Sequence, residues 1–138
     1  MGYLLDTNIL TAILKKNQKI NNKLEEVRFI GEDVFISCIT YFESKRGLLY
    51  ANATRQISDL NEFSRIYRVL FLDNLEVIET ACEIHAYLKR KGTPIQEADI
   101  LIAAIAIARG LTLVSNDSDL LRVEGLSLEN WLSTDSYK

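Results

Sequence analysis

Tyr3-Leu4-Leu5-Asp6-Thr7-Asn8-Ile9-Leu10 is the stretch that decides the fold class. Three consecutive apolar residues read as a short buried strand, because strands covered on both faces lose the alternation of half-exposed ones. Asp6, Thr7 and Asn8 then offer side-chain oxygens that cap a helix, and Ile9, Leu10, Ile13 and Leu14 carry that helix onward along one face. A strand handing over directly to a helix is the repeating unit of a parallel sheet.

The same switch recurs along the chain. A helical segment from Ile20 to Phe29 leads to a second apolar run, Val34-Phe35-Ile36, after which Ser37 caps a helix from about Ile39 to Tyr50, with Glu43 in its second turn. From Thr54 to Phe71 the apolar residues Ile57, Leu60, Phe63, Ile66, Tyr67 and Leu70 fit one helical face, followed by an expected strand, Leu75 to Ile78. Thr80 is expected to start a helix ending at Lys89-Arg90-Lys91-Gly92, cations in the last turn and glycine at the stop. Beyond Pro94, Glu97 to Arg109 reads as a largely buried helix closing at Gly110, with Asp99 near its start. A strand Leu111 to Val114, the turn Ser115-Asn116-Asp117, a short helix Asp119 to Arg122 and a last strand near Leu126 to Leu128 complete the pattern. The expectation is an α/β domain spanning 1–138, its parallel sheet flanked by helices on both faces.

Composition agrees with one globular unit. At 138 residues, with 48% hydrophobic and 25% charged residues, one Pro and six Gly, the chain has the balance of a folded domain. A domain of this size buries roughly 70% of the surface its unfolded chain exposes. Asp6, Thr7 and Asn8 interrupt any signal-like apolar stretch, and the longest apolar run, Ile100 to Ala108, is about half a membrane span, so a soluble cytoplasmic protein is expected. Cys38 and Cys82 lack metal-like spacing and read as buried thiols. His85, in a helical stretch without a nearby nucleophile motif, reads as a surface or packing residue.

Four acids hold the chemical signal. Asp6 and Asp117 lie just after strands, while Asp99 begins one helix and Glu43 lies in the second turn of another, so the topology allows all four to converge at the carboxyl edge of the sheet, where ligands of such folds bind. Two carboxylates about 4 Å apart repel by roughly 4 kcal/mol at an effective dielectric near 20, so a cluster calls for a cation. Hard divalent ions such as Mg²⁺ and Mn²⁺ prefer oxygen ligands and leave positions for water and phosphate, which suits phosphate chemistry. Against this, Asp6 or Asp117 alone reads better as a helix cap. The net charge of −3 disfavours nucleic acid as a partner, but setting four ligands aside from 19 acids leaves 15 against 16 Lys and Arg. Lys15-Lys16, Lys45-Arg46 and Lys89-Arg90-Lys91 are then candidate basic patches.

Four blocks stand in register: Tyr3 to Leu10; Ser37-Cys38-Ile39-Thr40-Tyr41-Phe42-Glu43; Gly92-Thr93-Pro94-Ile95 through Asp99-Ile100-Leu101-Ile102-Ala103-Ala104; and Leu113-Val114-Ser115-Asn116-Asp117. Together they closely resemble PIN-domain ribonucleases, specifically the VapC toxins of toxin-antitoxin pairs, over nearly the whole chain. The resemblance implies a metal-dependent endoribonuclease using Mg²⁺ or Mn²⁺ on single-stranded or loop RNA, with transfer or ribosomal RNA loops as expected substrates. It also implies a homodimer held inactive by a cognate VapB-type antitoxin. Carried across, the acidic set falls on Asp6, Glu43, Asp99 and Asp117, with Thr7, Asn8, Ser115 and Asn116 in support. Glu43 is either a ligand or the group that orients the attacking water. Asp119 is an additional ligand or supporting acid, with exposed capping as the competing reading. Leu120-Leu121 replace an aromatic that members often carry there, a departure that concerns local packing.

By the same resemblance, an antitoxin places a basic side chain in the acidic pocket while an apolar segment docks near Leu48-Leu49-Tyr50 and Tyr67 to Phe71. The competing reading is a catalytically inactive PIN-like binding module whose acids serve only as caps. Other phosphate enzymes fit less well. Asn8 stands where a dehalogenase-type phosphatase needs its second Asp, no glycine-rich Lys-Ser/Thr loop is present, and Asp73 precedes its strand where a receiver domain needs the acid after it.

Overall fold

A computed structural model describes residues 1–133. In chain order the elements are β1 (Gly2–Leu5), α1 (Thr7–Leu14), α2 (Gln18–Phe29), β2 (Asp33–Ser37), α3 (Cys38–Tyr50), α4 (Thr54–Ile66), β3 (Arg68–Leu70), α5 (Leu75–Arg90), α6 (Glu97–Arg109), β4 (Thr112–Val114), a 3-10 turn over Ser118–Arg122, and β5 (Leu128–Glu129). The strands form one sheet in the order β3-β2-β1-β4-β5, and every pairing is parallel. The α/β fold with helices on both faces is the one the strand-helix alternation predicts.

Alternation along β1 divides the core. Leu5 joins Ile9, Leu10, Ile20, Ile36 and Leu60 on the face covered by α1, α2 and α4. Leu4, its neighbour, points the other way and packs with Leu88, Ile102, Ile105, Leu113 and Leu120 beneath α5 and α6. Helix α6 is buried on most of its circumference, and it ends where Gly110 adopts φ +65°, the left-handed conformation that accepts glycine at little cost.

Three expectations are corrected. The helix expected to run from Thr54 to Phe71 ends at Ile66: Tyr67 is extended, and Arg68–Leu70 pair with β2, Phe35 opposite Arg68. Tyr67 and Leu70 are apolar in either periodicity, so the helical pattern ran on past the residue where backbone pairing with β2 takes over. The strand expected at Leu75 to Ile78 is instead the first turn of α5, which begins at Leu75 rather than at Thr80. A four-residue apolar run has no period of its own; the informative residue is Asn74, whose Oδ1 accepts from the Val77 amide at 3.1 Å. Neither cysteine is a buried thiol: Cys38 is half-buried, Cys82 is exposed, and both are free. His85 is exposed, as a surface residue should be.

Asn74→Ala should therefore lower the stability of the protein by about 1 kcal/mol, read from the urea midpoint at unchanged slope. No change would mean that the cap does not hold the start of α5.

Candidate metal centre

Asp6 follows β1, and its amide donates to the Val114 carbonyl at 2.9 Å, locking the start of α1 to the end of β4. As the N-cap of α1 it accepts the Thr7 amide on Oδ1 at 2.8 Å. Its Oδ2 accepts the Ser115 hydroxyl at 2.6 Å, and Asn8 Nδ2 approaches the same oxygen at 3.5 Å. Asp6 is only 4% exposed and Ser115 is fully buried. Burial raises the Asp6 pKa, the Ser115 and Thr7 hydrogen bonds oppose that rise, and Glu43 and Asp117 add to it through repulsion.

The end of β4 is stitched to the start of α1. Besides donating to Asp6, Ser115 Oγ accepts the Asp117 amide at 3.0 Å and Asn8 Nδ2 at 3.3 Å. Asn8 Oδ1 in turn accepts the Asn116 amide at 3.0 Å. On the opposite flank, Ser37 caps α3 by accepting the Thr40 amide at 3.0 Å, which sets the helix that carries Glu43. The Thr7 hydroxyl donates to Glu43 Oε1 at 2.7 Å and lies 3.2 Å from that of Thr40.

Asp99, in the first turn of α6, has no side-chain hydrogen bond among the described residues. Its pKa is pushed up to about 6, first by burial and then by repulsion from Asp6, Asp117, Glu43 and Asp119. Thus the acids picked out by their positions after strands and at helix starts do share one electrostatic environment. Asp119 is the outlier: it pairs with Arg122 at 3.3 Å with 49% of its side chain exposed, while its amide caps onto Asp117 Oδ1 at 2.9 Å. Asp119 is thus an exposed acid paired with Arg122, and the capping residue of this turn is Asp117.

Two contributors had escaped the sequence reading. Thr40 is completely buried beside Thr7, and its signal was the Ser37-to-Thr40 spacing of a helix cap. Asn130 donates to Asn116 Oδ1 at 2.8 Å and holds the Leu132 amide at 2.9 Å, bracing the β4 turn from β5; no short-range pattern announces it.

The donors are all oxygen, and they repel one another, which is what a hard divalent cation relieves. Among the described residues, no three acid, histidine or cysteine side chains are gathered tightly enough to enclose a metal ion alone. The arrangement therefore fits an ion that takes few protein carboxylates directly and keeps waters in its other positions, as Mg²⁺ does. Thr7 and Ser115 are placed as the orienting partners such ligands need.

The family model described as PIN domain matches residues 3–126. The chain is 30% identical over 139 residues to Ribonuclease VapC2 of Rickettsia felis, covering 95% of this chain and 98% of that protein. It is 33% identical over 133 residues to the tRNA(fMet)-specific endonuclease VapC of Salmonella typhimurium, with coverage of 95% and 98%. The crystal structure of VapBC2 from Rickettsia felis bound to a DNA fragment from their promoter superposes with a TM-score of 0.87 at 30% identity, covering 95% of this chain and 99% of that one.

Asp99 yields a pH-dependent prediction. Its folded pKa lies above the ordinary carboxylate value, so its stabilising contribution is present below that value and is lost as pH rises through about 6. At pH 8 without metal, Asp99→Asn should raise stability by about 1 kcal/mol after allowance for solvent screening, and the gain should vanish near pH 4. Thermal melts at the two pH values check this; an equal effect at both would remove electrostatic strain as the cause.

Proposed function

The chain belongs to the PIN domain family, as an endoribonuclease of the VapC toxin type, and from that premise we propose that it cleaves RNA phosphodiester bonds with Mg²⁺ or Mn²⁺ held by Asp6, Asp99 and Asp117, in part through bound waters. The observation that carries this reading is the gathering of acids at the carboxyl edge of the sheet, where buried Asp6 is held by Ser115 and Glu43 by Thr7, and where burial and the neighbouring acids push the Asp99 carboxyl up to about 6. A divalent cation at such a place supplies a Lewis acid for the phosphate and lowers the pKa of a bound water. Glu43, fixed by the Thr7 hydroxyl, is either a further ligand or the group that orients the attacking water. Ser115 orients Asp6 and opposes the rise that burial gives its pKa, since its donated hydrogen bond favours the charged form. Hydrolysis in this arrangement leaves a 5′ phosphate and a 3′ hydroxyl.

The substrate class we infer is single-stranded or looped RNA, transfer or ribosomal, met in the cytoplasm by a chain that works as one domain over 1–138 and as a homodimer. Among the described residues, no helix is long and apolar enough to cross a membrane. We further propose a cognate VapB-type antitoxin that places an arginine among the acids. Of the apolar residues expected to dock it, Tyr67 and Leu70 are buried and Leu48 packs on the core, which leaves Leu49, Tyr50 and Phe71 exposed for the contact.

Cleavage of total RNA, mapped by sequencing new 5′ ends, tests the reading. The purified chain in Mn²⁺ should cut at a few sites, EDTA and Asp6→Asn should each abolish the cuts, and activity should fall as pH drops below 6. Parent-rate cleavage by Asp6→Asn, with contaminating nuclease excluded, would sink the site assignment; no cuts in any metal from antitoxin-free protein would favour the inactive binding module. Ser115→Ala should lower metal affinity or activity by about 10- to 100-fold while leaving the fold intact, checked by Mn²⁺ titration and circular dichroism.

A further inference from the structure

A cluster of acids repels a polyanion, so a strand of RNA delivered to this edge needs cations and flat apolar surface close by. Helix α3 presents both next to Glu43. Phe42, the preceding residue, is 59% exposed, and the Arg46 guanidinium carbon sits 5.0 Å from the centroid of its ring. The adjacent pair on the same helix serves as a control. Lys45 lies 5.1 Å over the Tyr41 ring but also donates to Asn61 Oδ1 at 2.8 Å, and Tyr41 packs against the core. That pair is accounted for by the fold.

Phe42 belongs to neither core cluster. Arg46 forms no hydrogen bond or ion pair among the described residues, in a chain whose acids outnumber its Lys and Arg by 19 to 16. Helical side chains lean toward the N-terminus of their helix. Arg46, one turn beyond Glu43, accordingly reaches back over Phe42 toward the end of α3 that meets Thr7 and the acids. An exposed ring topped by a planar cation that has no ion pair among the described residues, on the helix that carries Glu43, matches what an unstacked base and its phosphate require.

Resting on the ribonuclease reading above, we propose that Phe42 and Arg46 form the substrate-binding contact for single-stranded RNA flanking the cleaved bond. An unpaired base stacks on the Phe42–Arg46 surface, and the guanidinium holds a neighbouring phosphate. Neither residue touches the reacting atoms; together they position the strand.

The test uses the full chain with a fluorescein-labelled single-stranded RNA of mixed sequence, Ca²⁺ replacing Mn²⁺ during binding, alongside cleavage kinetics in Mn²⁺. Phe42→Ala and Arg46→Gln should each weaken binding roughly tenfold and raise KM with kcat unchanged, while Phe42→Tyr keeps parent affinity. Arg46→Gln should also reduce the slope of log affinity against log salt by about 0.7, the value for one single-strand phosphate contact. Parent-like binding and salt slope in both Phe42→Ala and Arg46→Gln would overturn the proposal, even as cleavage by the parent kept the ribonuclease reading. Weakened binding that came with a changed molar mass in light scattering would also overturn it, assigning the pair to an interface between copies. A parent that cuts no RNA would instead remove the reading on which the proposal rests.

Discussion

Everything at this edge depends on one buried carboxylate and the hydrogen bonds that hold it. Removing Asp6 from water costs several kcal/mol unless its oxygens are hydrogen-bonded, and the fold meets that cost from two directions. The amide of Thr7, freed by the start of α1, serves one oxygen, and the Ser115 hydroxyl, delivered by β4, serves the other. The first donor is local to the cap of α1, whereas the second would not be in place without parallel pairing of β1 with β4. The sheet is in this sense the scaffold of a single buried carboxylate, and the remaining acids are arranged around it.

The strand order explains the arrangement. From β1 the chain builds outward to β2 and β3 on one side and to β4 and β5 on the other, so the direction of winding reverses beside β1. Crevices beyond the carboxyl ends of parallel strands open at such reversals. Asp6 stands at this one, α3 brings Glu43 in from the β2 side, and the turn after β4 brings Asp117 from the other. Helix α6 closes the set with Asp99, whose carboxyl, without a side-chain hydrogen bond among the described residues, is pushed up to about 6 by burial and by its acidic neighbours.

How far this was legible in the sequence varies by element. Tyr3-Leu4-Leu5 followed by Asp6-Thr7-Asn8 specified a strand-to-helix switch because apolar run and cap are adjacent; the same logic placed Ser37 and Asp117, and Asp99 was placed by the buried helix that starts beyond Pro94. Failure came where an apolar run was too short to have a period, at Leu75 to Ile78, and where one residue served two periods, at Tyr67. The acidic cluster could be anticipated from topology alone. Its supports could be anticipated only partly, since Thr7, Asn8, Ser115 and Asn116 adjoin the acids in sequence whereas Asn130 reaches Asn116 from β5. Likewise the unequal fates of Tyr41–Lys45 and Phe42–Arg46, neighbours on one helix, are set by what α4 and the core place against them.

The central claim is that these carboxylates share a divalent cation, and Mn²⁺ binding followed by electron paramagnetic resonance addresses it most directly. The account predicts a saturable site in the parent that weakens as pH falls below 6, is competed by Mg²⁺, and is lost in both Asp6→Asn and Asp99→Asn. Binding that is absent from the folded parent, or that survives both substitutions, would contradict it.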